Sequence, residues 1–217
     1  MKIRGIDIEL LNHDSVKIKY NKWIIYVDPF QIPAGEKADF ILISHEHEDH
    51  CSPTDLKKII KPETIIIASQ QCKDKLSIIS KSVNQVHYMR PNENMKIGEF
   101  FVETVPAYNV NKFRAPGIVF HPKEDQKLGF IINLKLGRIY HPGDTDVIPE
   151  MSKLRDIDIA FLPVSGTYVM TAEEAAQAAE IIKPKVAIPF HYGAIIGSRE
   201  DAEKFKSLAK CRVEILK

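Results

Sequence analysis

Cysteine is scarce in this 217-residue sequence, which contains only Cys51, Cys72 and Cys211. Their number is odd and no two of them form a Cys-x-x-Cys pair, which argues against a disulfide framework and favours a reducing compartment. We therefore expect a cytoplasmic protein. Cys51 directly follows a histidine, but adjacent side chains usually diverge. We expect it to be buried among apolar residues rather than to bind a metal.

Long apolar runs and an excess of one charge are also missing. No stretch approaches about 18 consecutive apolar residues, and the N-terminus lacks the apolar segment of a signal peptide, so the sequence predicts neither a membrane helix nor secretion. The formal net charge is +1, which argues against a basic surface that gathers nucleic acid or anionic membranes. The expected partner is a small-molecule substrate, without nucleic acid or membrane, and a homo-oligomer is left open.

The sequence shows no internal repeat, low-complexity tract or Gly/Ser-rich linker that would mark a domain boundary. Its hydrophobic fraction of 44% and charged fraction of 27% are those of an ordinary soluble domain. Its length suits one domain better than two. We therefore predict a single folded domain over residues 1–217.

Short β-rich runs open the chain, and strands alternating with helices follow them. We predict strands over residues 6–10, 16–20, 23–27, 40–43, 64–68, 86–89, 100–105, 130–134, 138–140, 157–162, 186–190 and 213–216. The apolar run at 40–43 is predicted to be covered on both faces. This order is typical of an α/β (α+β) fold with sheets packed face to face and helices outside.

Helices are predicted near residues 70–80 and after three N-cap residues, namely Ser52, Thr171 and Ser198. Pro53 suits the first helical position after Ser52, and Glu174 completes a capping box with Thr171. The helix after Thr171 carries an apolar face, and the last helix is predicted to direct three residues inward, Ala202, Phe205 and Leu208.

The run from His45 to His50 (His-Glu-His-Glu-Asp-His) follows an apolar strand and precedes a helix. His45 and His47 are two residues apart, so at a strand end their side chains point the same way and suit one cation. Asp49 and His50 suit a second ion, about 3.5–4 Å away in two-metal sites. A solvated loop is the alternative, but three histidines among only eight in the chain argue against it. Imidazole favours Zn²⁺, one or two ions, with Mn²⁺ or Fe²⁺ as alternatives.

Two further donors follow predicted strand ends. Asp144 lies in a turn with Pro142 and Gly143, where a carboxylate can bridge two cations. Taken alone, such a turn is more often structural. His191 follows the apolar strand that ends at Phe190. Because ligands gather at the carboxyl ends of the strands in α/β sheets, we expect both residues at the metal site.

The His-x-His-x-Asp-His run at 45–50, the Gly-Asp-Thr turn at 143–145 and the Pro-Phe-His-Tyr segment at 189–192 resemble the ordered metal motifs of the metallo-β-lactamase superfamily. Asp28, after a predicted strand, resembles the N-terminal aspartate motif of the same superfamily. The resemblance spans residues 6–191 and implies a four-layer αββα sandwich with metals at the edge between two sheets. The subgroup it suggests is the small metal-dependent hydrolases similar to the ascorbate-phosphate lactonases, which fixes no substrate.

The resemblance fails at one motif. After the strand that leads to Tyr108, the superfamily supplies a third histidine to the first metal, and this sequence has Asn109 in that place. An amide oxygen is a weaker and harder ligand than imidazole. His121 is the candidate replacement, and a surface-loop histidine is the alternative.

Three residues near these motifs have open roles. His141, three residues before Asp144, is predicted either to orient a ligand carboxylate or simply to pack. Tyr168, in the loop at 165–170, either lines the pocket or belongs to a plain connector. His13 fits a hairpin turn better than the mouth of the site.

These motifs predict a hydrolase in which one or two divalent ions lower the pKa of water to about 7 and polarise a carbonyl or phosphoryl oxygen. Asp49 is the expected catalytic proton acceptor. The expected substrate is a small-molecule ester, lactone or phosphoester. A nucleic-acid phosphodiesterase is less consistent with a chain that has no basic stretch. A flavodiiron-type redox enzyme is disfavoured by His47, and a non-catalytic metal-binding domain stays open because of Asn109.

Overall fold

The computed structural model describes residues 1–3 and 5–216. Within these residues the chain forms two compact units, Met1–Arg90 and Pro91–Leu216, which are called the N-terminal unit and the C-terminal unit below. The prediction of a single domain stays a prediction. No helix in the described residues is both long enough and apolar enough to span a membrane.

The described part of the N-terminal unit forms a seven-stranded sheet in sequential order. Its strands are β1 Lys2–Ile3, β2 Ile6–Asn12, β3 Ser15–Tyr20, β4 Trp23–Val27, β5 Phe40–Ile43, β6 Ile65–Ser69 and β7 Gln85–Met89. Strands β1 to β4 form an antiparallel meander, and β4 to β7 run parallel. Strand β5 is buried along its whole length, which confirms that both of its faces are covered.

Two helices of the N-terminal unit connect the parallel strands, α1 Pro53–Ile59 and α2 Lys73–Ser77. The predicted cap of α1 is present, because the Ser52 side chain accepts a hydrogen bond from the Asp55 backbone N–H and Pro53 opens the helix. The helix predicted at 70–80 is shorter than expected. Only α2 is α-helical there, between 3₁₀ turns at Gln70–Cys72 and Ser80–Ser82. A buried apolar cluster that includes Ile41, Leu56 and Leu76 holds the helices to the sheet.

The described part of the C-terminal unit forms a second seven-stranded sheet in the order β16-β15-β14-β13-β12-β9-β8, and a small hairpin β10-β11. The strands are β8 Asn94–Ile97, β9 Phe100–Ala107, β10 Phe113–Ala115, β11 Ile118–Val119, β12 Lys127–Leu134, β13 Gly137–His141, β14 Ile159–Pro163, β15 Val186–Phe190 and β16 Arg212–Val213. Strands β8, β9, β12 and β13 are antiparallel neighbours, whereas β13 to β16 run parallel.

The C-terminal unit carries the helices α3 Ala172–Ile182 and α4 Arg199–Leu208, and 3₁₀ turns at Lys123–Asp125 and Pro149–Lys153. The capping box of Thr171 and Glu174 is formed as predicted, and α3 buries its apolar face in a cluster that includes Ala175 and Ala179. Leu208 was predicted to point inward, but it is 43% exposed. A helix turns 100° per residue, so a residue six positions after Ala202 lies about 120° away from it around the helix.

Strands β1, β8, β10 and β11 were not predicted, and β16 lies at Arg212–Val213 rather than at 213–216. These elements span two to four residues each. Segments this short contain too few residues for the alternation of apolar and polar positions that marks a strand to be recognised in the sequence.

Candidate metal centre

The N-terminal unit brings its donors together at one edge of its sheet. Strands β4 and β5 are parallel neighbours, so Asp28, after β4, and His45, after β5, follow carboxyl ends that meet at one edge. The turn between β2 and β3 lies at the same edge, since Val16 near the start of β3 pairs with Val27 at the end of β4. The loop from His45 to His50 then closes into a turn, because the backbone carbonyl of His47 accepts hydrogen bonds from the N–H groups of His50 and Cys51.

Asp28 organises this loop from a fully buried position. Its backbone has a positive φ of 45°, a conformation that is uncommon outside glycine and is enriched at functional sites. Its carboxylate accepts hydrogen bonds from the backbone N–H of Ser44 at 2.7 Å and from the Ser44 hydroxyl at 2.6 Å. Oδ2 of Asp28 also lies 2.9 Å from Nδ1 of His50. An ionised carboxylate only accepts hydrogen bonds, so His50 carries its proton on Nδ1 and directs the Nε2 lone pair elsewhere.

Ser44 fixes the orientation of His45 in the same way. Its hydroxyl gives its single proton to Asp28, so it accepts the hydrogen bond that joins it to Nδ1 of His45 at 2.9 Å. His45 therefore presents Nε2, which lies 3.1 Å from Nδ1 of His47. His45 is fully buried, whereas the side chain of His47 is 45% exposed. The predicted pair at 45 and 47 thus converges, with His47 on the accessible side.

Two carboxylates approach Nε2 of His50. Oδ2 of Asp49 lies 3.6 Å away and Oδ2 of Asp14 lies 3.1 Å away. Asp49 was predicted to serve the same ion as His50, whereas Asp14 was not assigned to the site. The signal for Asp14 was weak, because a His-Asp pair between two strands is also typical of an ordinary turn. Ligand atoms of His13, Asp14 and Asp49 lie within 4.8 Å of one another.

Cys51 lies outside this donor set, as expected. It is fully buried, and a hydrogen bond with Cys72, together with burial, raises the pKa of its thiol far above the ordinary range. A metal binds the thiolate form of cysteine. The neutral thiol of Cys51 therefore behaves as an apolar side chain.

Asp144 is the centre of a second donor cluster in the C-terminal unit. Its two carboxylate oxygens face two histidines, Oδ2 lying 3.5 Å from Nε2 of His121 and Oδ1 lying 3.4 Å from Nε2 of His191. All three residues are buried. Asp144 and His191 follow strands β13 and β15 of the parallel part of the sheet. They were predicted to lie near each other at the carboxyl ends of these strands, and the structure places them in contact.

The turn before Asp144 depends on close backbone packing. A Cβ atom at Gly129 of β12 would lie 2.8 Å from the carbonyl oxygen of Pro142, so only glycine lets the turn approach the strand. Gly143 has a positive φ of 63°, which suits glycine. The backbone N–H of Gly143 donates to Nδ1 of His141 at 3.4 Å. The predicted role of His141 in orienting a carboxylate stays a prediction.

Asn109 occupies the place of the missing third-motif histidine and contacts His121. Its Oδ1 accepts hydrogen bonds from the backbone N–H of His121 at 2.9 Å and from Nδ1 of the same residue at 2.8 Å. Its Nδ2 donates to the backbone carbonyl of Tyr168 at 3.0 Å, which fixes the amide orientation. His121 therefore presents Nε2 towards Asp144. The contact of Tyr168 with Asn109 is through its backbone, and its role in lining a pocket stays a prediction.

The ring of His191 also contacts a side-chain oxygen through its Nδ1 atom. Its backbone φ is 59°, and its Nδ1 lies 3.1 Å from the hydroxyl of Ser165. Ser165 follows β14, the strand between β13 and β15. Ser165 was predicted only as part of the loop at 165–170, because a serine after a strand is a common turn residue.

The donors in both clusters suit divalent metal ions. Imidazole nitrogen and carboxylate oxygen are the ligands of catalytic zinc and related sites. Metal-binding histidines typically donate their other ring N–H to a carboxylate or carbonyl oxygen. Here the Nδ1 atoms of four histidines each contact a side-chain oxygen, in the pairs His45–Ser44, His50–Asp28, His121–Asn109 and His191–Ser165.

Comparison with known proteins agrees with this chemistry. The family model described as the β-lactamase superfamily domain matches residues 7–191. The chain belongs to this superfamily. The match confirms the resemblance seen in the motifs.

Two relatives and one solved structure define the family further. A metal-dependent hydrolase from Archaeoglobus fulgidus is 31% identical over 87% of this chain and 84% of its own. A second from Thermococcus kodakarensis is 29% identical over 97% and 95% of the two chains. The crystal structure of a protein described as a metal-dependent hydrolase from Parabacteroides distasonis has a TM-score of 0.84, with 34% identity over 98% of this chain and 94% of that one. The chain therefore has the metallo-β-lactamase fold and is a metal-dependent hydrolase.

Proposed function

We propose that the enzyme hydrolyses a small-molecule ester, lactone or phosphoester, and that its metal ligands are His45, His47, Asp49, His50, His121, Asp144 and His191. The observation that supports this set is the contact of a side-chain oxygen with Nδ1 in four of its histidines. Such contacts leave Nε2 for a metal. Histidines in a merely packed or solvated loop have no need of four such partners.

His121 takes the role of the third-motif histidine in this proposal. Its Nε2 faces a carboxylate of the proposed ligand set, Asp144. Asn109 positions His121 rather than binding metal itself, because its Oδ1 accepts two hydrogen bonds from His121. The departure from the superfamily motif thus changes which segment supplies the imidazole and preserves the type of ligand.

The proposed cofactor is Zn²⁺, one or two ions per chain, with Mn²⁺ or Fe²⁺ as alternatives. The five histidines of the proposed set favour zinc, and its carboxylates are compatible with harder ions. When bound, such ions lower the pKa of water to about 7 and polarise a carbonyl or phosphoryl oxygen.

Asp49 is the proposed catalytic residue. Its side chain is 20% exposed, more than the fully buried carboxylates of Asp14 and Asp28. It can therefore meet a substrate and an attacking water. In the proposed mechanism the Asp49 carboxylate accepts the proton of the attacking water and returns it to the leaving group. Asp28 keeps the neighbouring His50 ring in place while this proton moves.

A small-molecule substrate is favoured over a nucleic acid. Phosphodiesterases acting on nucleic acid gain affinity from many Lys and Arg contacts with phosphates, and this chain has a net charge of +1. A cytoplasmic location is proposed from the three cysteines, which are free in the structure.

The test compares wild type with Asp49→Ala on a panel of esters, lactones, phosphomonoesters and phosphodiesters, with metal content measured by elemental analysis. Asp49→Ala is expected to lose about 10²–10⁴-fold in kcat. The matched control is Glu48→Ala, because Glu48 lies on the same loop, 65% exposed, and pairs with Lys75. Unchanged turnover in Asp49→Ala would contradict the role of Asp49, and turnover limited to nucleic acid would contradict the substrate class. Metal-replete protein with no turnover on the whole panel would favour a non-catalytic role.

A further inference from the structure

We propose that Asp14 is an additional carboxylate ligand of the metal ion bound by Asp49 and His50. This inference rests on the proposed function, because it takes Asp49 and His50 as ligands. The superfamily motifs in the sequence do not include Asp14, which lies in the turn between β2 and β3.

The turn that carries Asp14 is unusual for a surface hairpin. Short hairpin turns favour glycine, asparagine and exposed polar residues, whereas here His13 and Asp14 are both buried. His13 has a positive φ of 39°. The next residue, Ser15, fastens the turn to the segment after β4, since its hydroxyl contacts the backbone of Asp28 at 2.9 Å and the N–H of Phe30 at 2.7 Å. The fold therefore holds this turn beside the residue that orients His50.

The spacing of the donor atoms fits a shared ion. Nε2 of His50 lies 3.1 Å from Oδ2 of Asp14 and 3.6 Å from Oδ2 of Asp49. Ligands bound to one ion at about 2.0–2.2 Å, with angles between those of octahedral and tetrahedral geometry, lie about 2.8–3.6 Å from one another. Both separations fall within this range.

The tautomer of His50 strengthens the argument. Its Nδ1 proton is directed at Asp28, so neutral His50 has a lone pair on Nε2, and that lone pair faces the Asp14 oxygen. Two acceptors at this distance attract only when a proton or a cation lies between them. A proton would make His50 an imidazolium between the carboxylates of Asp14 and Asp28, and a divalent ion would bind both Nε2 and Asp14. These two alternatives differ in metal affinity, which can be measured.

An added carboxylate also changes which metal the site prefers. Oxygen ligands suit harder ions such as Mn²⁺ better than imidazole does. With Asp14, the N-terminal unit contributes one imidazole and two carboxylates to this ion. We therefore expect loss of Asp14 to weaken Mn²⁺ binding more than Zn²⁺ binding.

The test uses full-length Asp14→Asn, which has nearly the same shape but no charge. The matched control is Asp7→Asn, because Asp7 is a half-exposed carboxylate on β2, the strand that leads into the same turn. Each protein is stripped of metal with a chelator, checked by circular dichroism, and titrated with Mn²⁺ and Zn²⁺ in separate calorimetric experiments. In Asp14→Asn, the affinity of one of the bound ions is expected to fall at least tenfold, and the loss is expected to be larger in the Mn²⁺ titration than in the Zn²⁺ titration. Asp7→Asn is expected to bind both metals as wild type does.

A second measurement does not depend on the folding of a variant. Crystals of the wild-type protein soaked in Mn²⁺ are expected to show an anomalous peak within a coordination distance of about 2.0–2.2 Å from an Asp14 oxygen. A manganese peak on His50 and Asp49 that leaves Asp14 uncoordinated would overturn the inference, as would wild-type affinity in Asp14→Asn. Wild-type protein that binds neither ion would overturn the proposed metal site as well, so the two failures are distinguishable.

Discussion

The side-chain oxygen of Asn109 lies 2.8 Å from Nδ1 and 2.9 Å from the backbone nitrogen of His121, so one amide group holds both the ring and the chain of a single histidine. The loop of Asn109 is itself held firmly, because Asp146 accepts hydrogen bonds from the backbone N–H groups of Val110 and Asn111 at 2.8 and 2.9 Å. In the proposed site, the histidine missing from the third motif is replaced by two residues, His121 as the metal ligand and Asn109 as the residue that positions it.

Asn109→Ala is expected to weaken metal binding by about 10–100-fold, the usual effect of removing a partner that orients a metal-binding histidine. The ring of His121 would lose the acceptor that fixes its Nδ1 proton. The measurement is calorimetric titration of the stripped protein with Zn²⁺.

Asn109→Asp keeps an oxygen for Nδ1 of His121 and is expected to recover most of the affinity. If Asn109 had only a structural role, Asn109→Ala and Asn109→Asp would both be less stable than wild type, and Asn109→Asp would not recover metal affinity. If Asn109→Ala binds metal as wild type does while His121→Ala does not, then Asn109 has no positioning role.

Much of the site was predictable because its donors are local in sequence. The run from His45 to His50 holds four donors between one apolar strand and one capped helix, and the pattern of such segments depends on neighbouring residues alone. His191 was predictable because it follows β15, which is apolar and buried along its length, and Asp144 because it lies in a turn with Pro142 and Gly143 after β13. The long strands of both sheets were predictable because runs of apolar or alternating residues mark them in the sequence.

The contacts that support these donors were not predictable in this way. Ser44 lies 16 residues from Asp28 along the chain, and Asn109 lies 59 residues from Tyr168. Hydrogen bonds over such separations depend on which strand ends become neighbours in the sheet. The local pattern of apolar and polar residues in the sequence does not indicate those neighbours. Asp14 was missed because the burial of a turn depends on tertiary structure.

Asp28→Asn is expected to lower metal affinity by about 10–100-fold and to reduce the stability of the metal-free protein by about 1–3 kcal/mol. Asparagine places a donor N–H₂ group where Asp28 accepts hydrogen bonds from Ser44 and His50. Calorimetric titration and urea unfolding measure the two effects.

Ser44→Ala is the companion variant, since it removes the hydroxyl contact with His45 and leaves the Asp28 carboxylate in place. Its expected effect on metal affinity is smaller than that of Asp28→Asn.

Equal metal affinity in wild type and Asp28→Asn would show that the tautomer of His50 does not control binding.

Removal of metal is expected to lower the midpoint of thermal unfolding. A ligand that binds only the folded state stabilises it by about 2.7 kcal/mol when its free concentration is 100-fold above its Kd. Scanning calorimetry with and without a chelator measures this difference.

The same comparison on Asp49→Ala is expected to give a smaller difference, because this variant lacks a proposed ligand of the metal. A chelator effect of equal size in wild type and Asp49→Ala would mean that Asp49 contributes nothing to metal binding.

Glu174→Gln is expected to destabilise the protein in a pH-dependent way. Glu174 accepts hydrogen bonds from Lys112 at 2.6 Å, Asn111 at 2.6 Å and the Thr171 backbone at 2.8 Å. Burial alone would raise the pKa of Glu174, but these hydrogen bonds outweigh burial and hold the pKa below its ordinary value of 4.5. A carboxyl whose pKa is lower in the folded state stabilises that state above the unfolded pKa, and this contribution is lost as the pH falls through the folded pKa.

Urea unfolding of wild type and Glu174→Gln from pH 7 to pH 3 tests this prediction. The difference in the free energy of unfolding is expected to be largest, about 1–3 kcal/mol for hydrogen bonds to a charged group, at pH 6 to 7, and to shrink below about pH 4.5 as wild-type Glu174 gains a proton. The matched control is Glu173→Gln, because Glu173 is the preceding residue of α3 and its ion pair with Lys204 lies on the exposed surface, where such pairs contribute little. A difference that stays constant over this pH range would show that the charge of Glu174 does not stabilise the loop that carries Asn109.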